Sequence, residues 1–223
     1  MSLLARTVGR FTWLAPGRIA TRLHRFALAE QGSMIDLTIA ARLTQSPTRA
    51  AAYLAHAGDE ARHARMFETQ ANEWASRAGI ALALPRADVE HLFETLGEVG
   101  FLALVHRGER SGLREFEVYR DQFARRGEPR TALVFDAILP DERRHEATSW
   151  AMLVEVSGSE AQARRALRSA AMRAAWRSWL RAGRTIGRAV YVVLTAMLYL
   201  LCAPLALAVR IARPTPRGSL RAP

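Results

Sequence analysis

Residues 46–63 read SPTRAAAYLAHAGDEARH, and residues 128–145 read EPRTALVFDAILPDERRH. The two stretches superimpose without a gap at an offset of 82 residues. Pro47 falls on Pro129, Asp59 on Asp141, Glu60 on Glu142, Arg62 on Arg144 and His63 on His145. Upstream of each stands another acid in a similar setting. Glu30 precedes Gln31-Gly32-Ser33 and Glu109 precedes Arg110-Ser111-Gly112, at an offset of 79. Two tandem copies of one helical hairpin account for both offsets.

The surrounding sequence supports helices and no strands, because no run alternates apolar and polar residues. Ser46-Pro47 pairs a capping side chain with a proline at the first helical position, and Glu128-Pro129 opens the matching helix. Four helices are expected. They run from about Gly17 to Thr44, from Pro47 to near Gly79, from beyond Pro85 and Asp88 to about Arg126, and from Pro129 to Gly158. A break is expected near Gly97 and Gly100. Short connections and amphipathic stripes predict an all-α chain, with an antiparallel four-helix bundle over residues 17–158.

The stripes contain charges. Helix one presents Leu23, Phe26, Glu30, Met34 and Leu37, and helix two Leu54, Ala57, Glu60, His63 and Phe67. Helix three presents Val105, Glu109, Leu113 and Phe116, and helix four Ile138, Glu142, His145, Ser149 and Met152. Residues i and i+3 are neighbours on a helix face, so each Glu-x-x-His pair reaches one point. Acids in the middle of apolar stripes are costly unless something neutralises them. Buried salt bridges to Arg62, Arg107 or Arg144 would do so. Two metal ions would do so as well, held by Glu30, Glu60, His63, Glu109, Glu142 and His145. Hard oxygen donors with borderline nitrogens suit iron, with manganese as the alternative. Glu60 and Glu142 would bridge, Glu30 and Glu109 would bind terminally, and each histidine would serve one ion.

Other conspicuous residues are read more plainly. His24, His56, His91 and His106 have no partner acid at ligand spacing and are assigned to core or surface. Glu98 is about 16 Å along the helix from Glu109, too far to share a site. Trp74 and Trp150 read as core or interface aromatics. Gly58 and Pro140 precede the two motifs and would let each helix adjust there, by a π-bulge for example.

The chain has 223 residues, 50% of them hydrophobic, and a net charge of +11. That composition excludes intrinsic disorder. All 32 cations are arginine, and the single cysteine, Cys202, excludes a disulfide scaffold, a cysteine zinc site and an iron–sulfur cluster. The charge is unevenly placed. Residues 17–158 hold 18 arginines and 20 acids, whereas the flanks hold 14 arginines and only Glu160. The excess is therefore no nucleic-acid footprint over the fold.

The flanks define the remaining segments. Residues 1–16 form an N-terminal segment without an apolar core of signal-peptide length. Residues 159–188 read as a basic amphipathic helix, with Leu167, Met172, Trp176, Trp179 and Leu180 as its apolar mass, lying in the headgroup layer. Residues 189–209 carry no charge and would extend about 31 Å as a helix, enough to cross a bilayer core or embed in it. Pro204 could kink that segment. Residues 210–223 form an Arg/Pro-rich tail. The expected location is the cytoplasmic membrane, with the main domain on the cytoplasmic side.

The doubled motif resembles that of a known group. Glu30 followed by DEARH at 59–63, and Glu109 followed by DERRH at 141–145, look like the repeated Glu…(D)ExRH signature of the ferritin-like di-iron carboxylate superfamily. That group includes the hydroxylases of bacterial multicomponent monooxygenases, acyl-carrier-protein desaturases and demethoxyubiquinone hydroxylases, with rubrerythrin and ferritin as more distant members. The resemblance covers residues 17–158 and implies two iron ions. It further implies that Asp59 and Asp141 hydrogen-bond the ligating histidines, and that Arg62 and Arg144 brace those acids. No catalytic side chain is expected beyond the metal ligands.

The function this suggests is a membrane-associated oxidoreductase that uses O2 to hydroxylate or otherwise oxidise a hydrophobic, lipid-like substrate. Its electrons would come from an external reductase or ferredoxin, and its further partners would be membrane lipids. A ferroxidase or rubrerythrin-like peroxide-handling protein is the alternative, and a membrane adaptor with a structural metal site is a third. Nucleic acid is not an expected partner.

Overall fold

A computed structural model describes residues 15–83 and 91–212. Within the last helix, the side chains at 177–178, 181–182, 184–186, 189, 205–207 and 209–212 lie outside that description. So do the N-terminal segment, the loop with Pro85 and Asp88, and the tail beyond 212. Five helices and no strand occur among the described residues: α1 Pro16–Leu43, α2 Pro47–Ala78, α3 Leu92–Arg125, α4 Pro129–Ser157 and α5 Glu160–Ala212.

Local chemistry sets the boundaries. Pro16, Pro47 and Pro129 each open a helix, where a missing N–H costs nothing. Ser46 Oγ accepts from the Arg49 amide at 3.3 Å and caps α2. Gly79 closes α2 in the left-handed region at φ 64°, which a side chain would disfavour. The expected break in α3 falls at Gly97 alone, whose φ 67° and ψ 172° interrupt the helix. The expected adjustment at Gly58 and Pro140 does not occur as a change of helix type, since the α-helices run through both positions.

The first compact unit ends at Ala171. Within it α1 packs along α2, and α3 along α4. One apolar cluster joins the start of α1 (Ile19, Leu23), the end of α2 (Phe67, Trp74), the end of α3 (Phe116, Phe123) and the start of α4 (Phe135, Ile138). A second joins the opposite ends of the same helices, through Leu37, Tyr53, Phe101, Leu102, Met152 and Leu153. The clusters thus join opposite ends of successive helices, which is consistent with a helical bundle. Ala163 and Ala170 of α5 are buried in the second cluster, so the unit continues past the boundary expected at 158.

One stripe residue is corrected. Leu54 is 54% exposed, while its neighbour Tyr53 is fully buried. At about 100° per residue, position 53 lies seven residues before Glu60 and only about 20° away from it around the helix. Position 54 is rotated by roughly 120°. The period selects Tyr53, and hydrophobicity alone misled.

The second unit begins at Met172. Its described side chains include exposed Met172, Trp176, Trp179 and Leu180, and the exposed apolar run Val190–Leu194 with Met197–Leu201. Among the described residues no helix is long and apolar enough to cross a membrane. The expected spanning segment, 189–209, rests partly on side chains outside the description, at 189, 205–207 and 209.

Candidate metal centre

The polar layer lies between the two apolar clusters. On α2 the order along the helix is Tyr53 and Ala57 of one cluster, then Glu60 and His63, then Phe67 of the other. On α4 it is Ile138 and Leu139, then Glu142 and His145, then Met152. All six expected ligands come to this level. Glu60, His63, Glu109, Glu142 and His145 are buried, and Glu30 on α1 is half-buried.

Among the described residues, two groups have donor atoms close enough to share an ion. Glu30, Glu60 and His63 form one, and His56, Glu60, Glu109 and His145 the other, each with its atoms within 4.8 Å of one another. Glu60 belongs to both. Glu142 belongs to neither but faces His63, with its Oε1 at 3.4 Å from Nδ1. His56, assigned to core or surface from sequence, is thus part of the centre. The signal that could have found it is its spacing of four residues from Glu60 on one helix face.

Each histidine is held by an acid of the other hairpin. His63 Nε2–H donates to Asp141 Oδ2 at 3.2 Å, and His145 Nε2–H donates to Asp59 Oδ2 at 3.0 Å. Those bonds place the proton on Nε2 and leave the lone pair on Nδ1. His63 Nδ1 then faces Glu142, and His145 Nδ1 lies 3.5 Å from Glu60 Oε1 and 3.9 Å from Glu109 Oε2. Arg62 pairs with Asp59 at 2.8 Å and with Asp141, while Arg144 reaches both acids at 2.6 Å. The arginines considered as neutralising partners for the buried glutamates, Arg62 and Arg144, thus turn outward to the aspartates.

The titration behaviour follows from this crowding. Burial, then the charges of Glu60 and Glu142, push the Glu30 carboxyl well above the usual range. Burial raises Glu60 as well, against the pull of Glu30, and the charges of Glu109 and Glu142 add to the rise. Glu142 is pushed up to about 7, by burial first, against the pull of the facing His63 ring. Burial takes His145 down to about 4, with the neighbouring His56 adding to the effect. Burial would lower His63 too, but the carboxylates it faces, Glu142 and Asp141, leave it raised. The aspartates go the other way. Burial raises Asp59 and Asp141, but hydrogen bonds from the histidines and from Arg144 and Arg62 leave both lowered.

The donors fit a metal. Glu60 Oε2, Glu142 Oε1, His63 Nδ1 and His145 Nδ1 are buried without a hydrogen-bond partner among the described residues. Leaving such atoms unpaired costs about 1–3 kcal/mol each. All four belong to the two Glu-x-x-His pairs, and lone pairs facing carboxylate oxygens repel unless a proton or cation lies between. The buried His/Glu cluster could therefore hold a metal ion. Comparison with known proteins found no matching family model, no similar curated protein and no similar solved structure.

Proposed function

We propose that the chain is a membrane-associated di-iron oxidoreductase that uses O2 to oxidise a hydrophobic organic substrate, built on a ferritin-like four-helix bundle. The observation that carries this reading is the set of four buried, unpartnered donor atoms on two repeated Glu-x-x-His pairs. Glu30, Glu60, His63, Glu109, Glu142 and His145 would hold the ions. Bound there, two irons would supply the reduction of O2. A hydroxylation then balances with two electrons and two protons from an external donor, one oxygen atom entering the substrate and the other leaving as water.

The chain's own residues prepare that site. Asp59 and Asp141 fix the ring orientation and tautomer of the two histidines, which keeps their Nδ1 lone pairs aimed inward. Phe26, Phe67, Phe116 and Phe135 pack ring against ring on one side of the polar layer and exclude water there. The exposed tryptophans at 176 and 179 and the apolar run beyond Val190 support attachment to lipid, with residues 189–209 as the embedded segment.

The test is to purify the full chain in mild detergent, count its iron, and follow visible absorption as the Fe(II) form meets O2. About two irons per chain, lost in Glu60→Ala, support the centre. Slow consumption of O2 until substrate arrives supports the oxygenase, whereas rapid turnover of excess Fe(II) would replace it with a ferroxidase. Removing residues 186–223 should abolish flotation with liposomes and leave iron binding intact. Flotation of the shortened chain would displace the anchor from this segment.

A further inference from the structure

We propose that His56 is a seventh metal donor, present in one hairpin only, so that the two metal positions are chemically unequal; the proposal rests on the metal-centre reading above. His56 lies on α2 one helical turn before Glu60. Its ring is buried, and Nε2 stands 3.0 Å from Glu60 Oε1 and 3.3 Å from Glu109 Oε1. The ring stacks on that of His145, with centroids 3.7 Å apart and planes at 27°. It is one of four buried residues whose donor atoms lie within 4.8 Å of one another.

The repeat gives the contrast. The offset that carries Glu60 to Glu142 and His63 to His145 carries His56 to Ile138. Ile138 is fully buried in the apolar cluster and has no atom to offer a metal. The position built from His56, Glu60, Glu109 and His145 therefore has two nitrogen and two carboxylate donors. The position built from Glu30, Glu60 and His63, with Glu142 facing His63, has one nitrogen and three carboxylates. Imidazole suits Co(II), Zn(II) and Fe(II), whereas carboxylate-rich sites suit harder ions such as Mn(II). The nitrogen-rich position fills first with a borderline ion, and the other fills later.

Co(II) titration of the full chain in detergent, followed by visible absorption and calorimetry, tests this. The wild type should bind two ions in separate steps. His56→Gln keeps a side chain of similar reach that can still donate to Glu60 and Glu109, but it is a poor ligand. It should weaken the tight step by roughly tenfold or more and leave the weaker one in place. Unchanged affinities and an unchanged spectrum in His56→Gln would overturn the proposal, and so would equal loss of both steps in a variant with a native far-ultraviolet spectrum. A second measurement needs no variant. Proton NMR of the Co(II)-loaded wild type should show strongly shifted, exchangeable ring N–H signals from His56, His63 and His145, and the absence of the His56 signal would overturn the assignment. A wild type that takes up no Co(II) pair would instead overturn the metal-centre reading itself.

Discussion

The two hairpins carry the same ligand pattern and surround it differently. In hairpin one the position four residues before the ExxH glutamate is His56, and in hairpin two it is Ile138. Four residues after the histidine the roles reverse, with Phe67 in hairpin one and Ser149 in hairpin two. Phe67 packs among Phe26, Phe116 and Phe135, whereas Ser149 lies against His106 and donates to the Glu146 carbonyl. The centre thus has an aromatic end and a polar end. A repeat can preserve the atoms that do chemistry while its halves diverge in what they place around them.

The comparison breaks most sharply at the ligands. Glu60→Ala should abolish binding of the metal pair, whereas Glu142→Ala should cost the ion beside His63, both read by metal analysis. If Glu60→Ala keeps both ions, its place in both groups carries no weight. Next in size, Phe67→Ala should destabilise the bundle by about 3–5 kcal/mol in denaturant unfolding, against about 1 kcal/mol for Ser149→Ala. Equal losses would erase the contrast between the ends.

The pH dependence is the third test. Glu30, Glu60 and Glu142 have raised values in the folded state, so the stability tied to their protonated forms is complete below about 4.5 and is lost as pH rises through the folded values, about 7 for Glu142. His63, also raised, acts in the same direction. His145, lowered to about 4, opposes them by losing stability as pH falls from 6.5. Three carboxyls outweigh one ring, so the melting temperature of the metal-free protein should fall between pH 5 and 8. The metal-loaded protein should not follow it, because bound ions replace those protons. A metal-free melting temperature that rises over this range would contradict the crowding of the acids.

The last test sharpens the comparison most. Asp59→Asn should loosen the His145 position, and Asp141→Asn the His63 position, each by about 10–100-fold in metal affinity. Were each aspartate to act on its own hairpin's histidine, the two variants would show the reverse assignment.

Much of this was legible in sequence because it depends on local spacing. The i and i+3 geometry, the prolines at the helix starts and the fixed offset placed all six donors at one level, and Gly97 marked its own break. What was missed depends on packing between helices. His56 needed Glu109 and His145 from other helices to become part of a cluster. The crossing of Asp59 to His145 cannot be read from two identical motifs, since a bond within each hairpin would give the same sequence. Ala163 and Ala170 carry too little hydrophobic signal to announce that α5 begins inside the core.

The crossing has a consequence for the order of assembly. The His63–Asp141 and His145–Asp59 bonds join residues 78 and 86 apart in the chain, whereas α1 and α2 are joined only by residues 44–46. Closing long loops costs more chain entropy and slows folding. The hairpins should therefore condense before the centre closes. Glu30, Glu60 and His63 all lie in the half that emerges first during synthesis. The first hairpin thus brings three of these side chains together before the second arrives to complete the layer.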